Sequence, residues 1–319
     1  MKILANDGIS PSGVRALEAA NMQVIVDKVE QDELIDFINK EKVDVILVRS
    51  ATRVRQDIID ACPSLKIIGR GGVGMDNIDV EYARNKGLKV INTPAASSHS
   101  VAELAFAHFF SLARFLHDSN RHMPLEGDTN FKGLKKSYAK GVELKGKTLG
   151  IIGFGRIGQE VAKIGFGLGM HVIANDKYDI HKTLTLDFAN GQTLDFTVEM
   201  VSKEEVLKQS DFISLHVPAQ TQYVIDNKEI DMMKKGVFLV NAARGGVVNE
   251  LAIVKGVEEG KLRGVALDVY EKEPTPEIQL LMNPSLSLSP HIGAATEEAQ
   301  DRIGLELADQ IIELSKNLK

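Results

Sequence analysis

One cysteine, Cys62, and no tryptophan occur in 319 residues. A single cysteine excludes an intramolecular disulfide and any multi-cysteine zinc centre, and no His-Glu-x-x-His stretch offers a helix-borne metal site. No metal is expected, nor zinc-dependent alcohol oxidation. Positive charge is also short, because 38 Lys and Arg stand against 44 Asp and Glu, a net charge of -6. With no basic run, neither nucleic acid nor an anionic membrane is an expected partner. Small anionic substrates stay open through local arginines. Finally, no apolar run approaches the ~18 residues of a membrane span, and "MKILANDG" lacks the apolar region and cleavage site of a signal peptide. The chain reads as cytoplasmic.

What is present is a repeated rhythm. The length is about twice that of a usual single domain, so two domains are expected. Short apolar, β-branched runs, "KILAN", "MQVIV", "DVILV", "LKIIG" and "LKVIN", alternate with helix-like stretches in the first 92 residues. The pattern resumes with "LGIIGFG", "HVIAND", "DFISLHVP", "GVFLVNAA", "GVALDVY" and "LSLSPH". This alternation predicts two α/β units, each with a doubly wound parallel sheet. Between them "SVAELAFAHFFSLARFLH" is apolar nearly all round, with Ser100 and Glu103 at capping-box spacing, and requires burial on most sides. Residues 123–144 show no clear period and read as a loop or wrapping arm. "TLTLDFANGQTLDFTV" predicts a β-hairpin about Asn190-Gly191, and the final stretch predicts a helix capped by Thr296.

The chemistry begins at "GFGRIG", Gly153 to Gly158. A lone G-x-G-x-x-G is a weak signal. Here it follows a predicted strand, opens a predicted helix, and has Asp176 at the end of the next strand, which is the context of a dinucleotide loop. Gly153, Gly155 and Gly158 permit a tight turn and close approach to a pyrophosphate at a helix N-terminus. Asp176 would accept from ribose hydroxyls and repel a 2'-phosphate, so NAD is expected over NADP.

Ligands of open parallel sheets bind beyond the carboxyl ends of the strands. Arg244 follows one predicted strand, Asp268 ends the next with Glu273 five residues on, and His291 follows the last. Singly these are a surface cation, a turn or cap residue, a solvated acid and a satisfied core imidazole. Jointly they are what hydride transfer from a 2-hydroxy acid requires. His291 is a base for the hydroxyl proton, Glu273 a carboxylate to orient it, and Arg244 a fork for the substrate carboxylate. Asp268 could instead hold the nicotinamide carboxamide.

"GFGRIG", "NAARGGVVNE", "ALDVYEKEP" and "SPHIGAAT" together resemble the D-isomer-specific 2-hydroxyacid dehydrogenases, whose catalytic Arg, Glu and His match Arg244, Glu273 and His291. "VRSATRV", "GRGGVGMDNIDVEYARNKGLKVINTP" and "SVAELAF" resemble the branch that oxidises D-3-phosphoglycerate. The resemblance implies a flavodoxin-like substrate domain of residues 1–97 and 293–319, a Rossmann domain of residues 98–292 that binds NAD, and an active site in the cleft between them. It also places Arg156 and Ile157 at the pyrophosphate, Val217 and Pro218 at the adenosine, and Ala242, Ala243, Asp268, His291, Gly293 and Ala294 about the nicotinamide. Gly72 and Val73 would meet the substrate carboxylate, Val73 bordering the cofactor as well.

Arg49 and Arg70, each ending a predicted strand, suit a phosphate but equally a solvated surface, and with the resemblance oxidation of D-3-phosphoglycerate to 3-phosphohydroxypyruvate, a step of serine biosynthesis, becomes the leading expectation. Rivals are a glyoxylate or hydroxypyruvate reductase, a D-lactate dehydrogenase, and a non-catalytic NAD-sensing protein. A homodimer or homotetramer is implied. Feedback through a C-terminal regulatory domain is not expected. The hairpin about Asn190-Gly191 is longer than the family's usual stretch, and the arm from Met123 lacks the family's frequent tryptophan.

Overall fold

The structure is a computed structural model and describes residues 1–178 and 182–316. These divide into two compact units, Met1–Ser100 with the C-terminal stretch from Ala294, and Val101–Gly293.

The first unit holds β1 (Lys2–Ala5), β2 (Gln23–Ile25), β3 (Val45–Val48), β4 (Ile67–Arg70) and β5 (Lys89–Asn92). All are parallel, in the order β2-β1-β3-β4-β5. That is the flavodoxin-like order. Every residue of β3 is buried, because helices cover both faces of the sheet. The helix Pro11–Ala19 starts at Ser10, whose hydroxyl accepts from the Gly13 amide, with proline at the first position, where the missing donor costs nothing. Thr296 likewise caps the helix Glu297–Ser315 by accepting from Ala299 at 3.1 Å. The two helices cross at glycines: a Cβ on Gly13 would lie 2.8 Å from the Gly304 carbonyl oxygen. Leu17, Ala308 and Ile311 then share one core with Ile3, Val45 and Ile67.

The second unit holds β6 (Thr148–Ile152), β7 (His171–Asn175), β8 (Lys182–Asp187), β9 (Thr193–Met200), β10 (Phe212–Leu215), β11 (Val237–Asn241), β12 (Leu262–Leu267) and β13 (Leu286–Leu288). Their order is β13-β12-β11-β10-β6-β7-β9-β8, so strand order reverses between β6 and β10. Only β8 is antiparallel among these described strands. The hairpin turns where Gly191 takes a φ of +83°. It is held by Leu184 and Val198 in the core and by Phe196 stacked on Phe166 at 4.6 Å.

Two details differ from the sequence reading. The helix Ser98–Ala113 begins ahead of Ser100, whose hydroxyl pairs with Thr296 at 2.8 Å instead of capping. Half of the arm is helical: the helix Leu116–Glu126 runs into it and Phe131–Ser137 lies within it. These helices bury little apolar surface, so they carry no hydrophobic period. Tertiary bonds hold them instead, chiefly the Tyr138 hydroxyl donating to Asp118 at 2.8 Å.

Candidate active site

A pocket of about 740 Å³ opens beyond the carboxyl ends of β6 and β10, where the strand order reverses. Gly153, Phe154, Gly155, Asp176, His216, Val217 and Pro218 line it. Gly153 has a φ of +94°, and a Cβ there would sit 2.5 Å from the His216 carbonyl oxygen, so only glycine makes the turn. On Gly158 a Cβ would strike the Gly153 carbonyl, so this glycine lets the helix Arg156–Gly167 close onto β6. Gly155 faces open space: nothing lies within 4 Å of its Cβ position. The helix start is therefore bare of side chains, with its amides available to an anion.

Asp176 accepts from the Phe154 amide at 2.7 Å and from the Tyr178 amide at 3.3 Å. It thereby ties the glycine loop to the end of β7, and its remaining lone pairs still serve a diol. Burial pushes the His216 imidazole down to about 3, so the ring is neutral at working pH. Its Nε2 pairs with the Ser214 hydroxyl at 2.8 Å, while the buried Nδ1 has no partner among the described residues. An orphaned polar atom, a cradle at Gly155 and a ribose acid together fit a dinucleotide. Exchange of Asp176 for Ala is expected to narrow the preference for NAD over NADP and to weaken both, because the Phe154 amide also loses its acceptor. Comparable kcat/KM with the two cofactors in the unaltered enzyme would refute the role given to Asp176.

Beyond β11, β12 and β13 lie the groups that the sequence names for acid-base work. The His291 Nδ1 meets Glu273 Oε2 at 2.9 Å. The other carboxylate oxygen of Glu273 accepts from the Tyr270 amide at 3.1 Å. Burial alone would raise the Glu273 carboxyl, but the His291 hydrogen bond and charge, the Tyr270 amide and the Arg244 charge outweigh it and hold it below the usual range. Arg244 is set in place by its loop. Asn241 donates to the Arg244 carbonyl at 3.0 Å and accepts from the Ala243 amide at 3.1 Å, while Arg244 Nη1 donates to the Ala243 carbonyl at 2.7 Å. Next to it, Gly245 packs so closely on the Tyr270 carbonyl that no Cβ would fit.

His291 takes a φ of +56°, a left-handed backbone that a non-glycine residue adopts only when its surroundings dictate it. Asp268, only 1% exposed, supplies that constraint. Its Oδ1 accepts from the Ser289 hydroxyl at 2.6 Å and the Ile292 amide at 2.8 Å, and its Oδ2 from the Gly293 amide at 2.9 Å. The Tyr270 hydroxyl adds a bond to the Ser289 carbonyl at 2.9 Å. Asn241, Ser289, Tyr270 and Gly245 were not singled out from sequence, although the "SLSLSP" alternation marks Ser289 as sharing a strand face with Ser287.

In the first unit, β3 and β4 pair with Val48 opposite Arg70, so Arg49 and Arg70 stand at neighbouring strand ends. Arg49 lines a pocket of about 590 Å³ together with Asp7, Ser10, Thr296 and Gln300. Arg70 lays its guanidinium over Gly72, where a Cβ would lie 1.8 Å from Nη1 and where the φ of +138° also favours glycine. The Val73 carbonyl accepts from Asn92 at 2.8 Å, and the Ala294 carbonyl from Gln300 at 2.6 Å.

A doubly wound sheet with a dinucleotide cradle at its reversal point and a histidine–carboxylate pair beside an arginine defines a nicotinamide-dependent dehydrogenase. Residues 106–293 match the family described as D-isomer specific 2-hydroxyacid dehydrogenase, NAD binding domain. A hydroxypyruvate reductase of Thermotoga maritima is 45% identical over 97% of both chains. A D-3-phosphoglycerate dehydrogenase of Methanocaldococcus jannaschii is 39% identical over 98% of this chain but only 57% of its own length. A crystal structure of D-lactate dehydrogenase from Aquifex aeolicus, complexed with NAD and lactic acid, superposes with a TM-score of 0.76 at 28% identity, covering 99% of this chain and 96% of that one. The chain belongs to the D-isomer-specific 2-hydroxyacid dehydrogenases and is an NAD-dependent oxidoreductase. Among the described residues no helix is long and apolar enough to cross a membrane.

Proposed function

We propose that the enzyme interconverts D-3-phosphoglycerate and 3-phosphohydroxypyruvate, a reaction of serine biosynthesis. The observation that carries this reading is the pair of arginines, Arg49 and Arg70, at adjacent strand ends of the first unit. A phosphate takes several hydrogen bonds from guanidinium groups, and an unphosphorylated hydroxy acid has no use for a second and third arginine. A second reading, reduction of hydroxypyruvate itself, is favoured by the full-length similarity to the Thermotoga protein. Both share one three-carbon skeleton and differ by the phosphate.

Bound NAD supplies the hydride acceptor. Gly153, Gly155, Arg156, Ile157, Gly158, Asp176, Val217 and Pro218 hold its adenosine and pyrophosphate part, with Val73, Ala242, Ala243, Asp268, Gly293 and Ala294 about the nicotinamide. Arg244 binds the substrate carboxylate, assisted by Gly72 and Val73. His291 has its Nδ1 engaged by Glu273, so the proton of the substrate hydroxyl moves to and from Nε2.

Substituting Ala for Arg49 or Arg70 is expected to raise KM for 3-phosphoglycerate by about 10- to 100-fold while altering KM for D-glycerate far less, since only the phosphorylated acid loses a charge-assisted contact. Steady-state kinetics on both acids checks this. Equal losses would remove the phosphate reading and leave hydroxypyruvate as the substrate. Exposed Phe110, Leu116, Met123, Leu125 and Phe131 on the helices that precede β6 support a homodimer or homotetramer.

A further inference from the structure

The helix Ser98–Ala113 carries a buried imidazole, His108, that no step above uses. Both ring nitrogens are engaged: Nδ1 with the Ser287 hydroxyl at 3.0 Å and Nε2 with the Ser289 hydroxyl at 2.9 Å. Ser287 and Ser289 stand two residues apart at the end of β13, on one face of the sheet. The directions of these bonds can be worked out. Ser289 has one hydroxyl proton, which goes to Asp268 Oδ1 at 2.6 Å, so its oxygen accepts from His108 and the ring proton sits on Nε2. Burial pushes His108 below its ordinary value, against the pull of Asp268 and with a smaller push from His117, so the ring is neutral and Nδ1 accepts from Ser287. The chain runs one way from His108 to Ser289 and from Ser289 to Asp268, while Ser287 divides its proton between His108 Nδ1 at 3.0 Å and the Ser111 hydroxyl at 3.5 Å.

The chain ends on the carboxylate that also holds the Ile292 and Gly293 amides. Residues 289, 292 and 293 are thus tied to one acceptor, and His291 hangs between them with its left-handed backbone. A leucine at position 108 would fill the same space against β13. It would not donate to Ser289.

We propose that His108 is a positioning residue for the proton-transfer histidine, its Nε2–H acting through Ser289 and Asp268 to keep the 289–293 loop in the conformation that sets His291 against Glu273. This rests on the reading of His291 given above. The titratable groups facing His108 are Asp268, past β12, and His117, on the helix Leu116–Glu126; the His291 pair involves Glu273 and, acting on that carboxylate, Arg244.

The test uses the NADH-bound enzyme reducing hydroxypyruvate, with His108→Leu, Ser289→Ala, their double variant and His108→Gln. His108→Leu is expected to lower kcat by about 10-fold with little change in KM, the scale of one lost hydrogen bond at a buried site. It should also speed amide exchange at Ile292 and Gly293, as the loop loses its tie to Ser289. The double variant should be no worse than the poorer single one, because both cut one chain. His108→Gln, whose amide can donate to Ser289, should recover part of the loss. Nitrogen-15 spectra of the unaltered enzyme should show the Nε2–H tautomer of His108. An Nδ1–H tautomer, or losses that add and follow Tm while the two amides stay unmoved, would overturn the proposal. Near-normal turnover in His291→Ala would instead sink the underlying chemistry, an outcome distinguishable from all of these.

Discussion

His291→Ala is expected to lose about 100- to 10,000-fold in turnover while binding NADH nearly as well as the unaltered enzyme, the usual worth of a positioned acid-base group. Binding should survive because the pocket beyond β6 and β10, which suits the adenosine and pyrophosphate, is lined by Gly153, Asp176 and Val217 among others and not by His291. Glu273 should act through the histidine. At 2.9 Å its carboxylate holds the ring through Nδ1, so Glu273→Gln is expected to lower kcat with little effect on NADH binding. The same contact helps to hold the Glu273 carboxyl low despite its burial. The double variant should be hardly slower than His291→Ala, since each change disables one proton path. Turnover near normal in His291→Ala, or an unchanged kcat in Glu273→Gln, would return the histidine to a structural role.

Arg244→Ala is expected to cost about 100- to 1,000-fold in kcat/KM for any 2-hydroxy acid, matching the loss when one member of a buried hydrogen-bonded charge pair is removed. Arg244→Lys should recover only part. An ammonium carries the charge but not the two parallel donors, and the loop is built for a guanidinium, with the Ala243 carbonyl taking Nη1 and Asn241 bracketing the backbone. Arg244 also helps to lower the Glu273 carboxyl, so the alanine variant should show a perturbed pH profile as well as weaker binding. Kinetics with a hydroxy acid and with a neutral secondary alcohol would separate the two contributions. An equal loss on both substrates would contradict the assignment of Arg244 to the carboxylate.

Features written in short stretches of sequence were legible. The glycine loop, the Asn190-Gly191 hairpin and the Thr296 cap each depend on neighbours within a few residues, and the strand rhythm follows from sheets buried on both faces. The His–Glu pair was legible through its chemistry, since each residue follows a recognisable strand. The support beneath it was not. His108 and Ser289 are 181 residues apart, and nothing local marks a histidine within an apolar helix as a donor to a distant serine. Asp268 was visible as a strand-end acid, yet its three bonds to Ser289, Ile292 and Gly293 depend on how β12 and β13 lie side by side. The helices of the arm escaped for the opposite reason: with so little apolar surface to bury, they leave no period to read.

The first unit is discontinuous, whereas residues 101–293 form the second in one uninterrupted run. On a ribosome adding residues from the N-terminus, β1 to β5 emerge first but wait for the helix Glu297–Ser315, which supplies Ala308 and Ile311 to their core and fits Gly304 against Gly13. The dinucleotide-binding unit, needing nothing from later in the chain, completes its sheet before the earlier-made unit can close. Synthesis order and folding order are therefore reversed. In the interval the apolar face of β1, β3 and β4 is covered only in part, by Leu17 of the helix Pro11–Ala19, so loss of the last helix should be more damaging than its small share of the chain suggests.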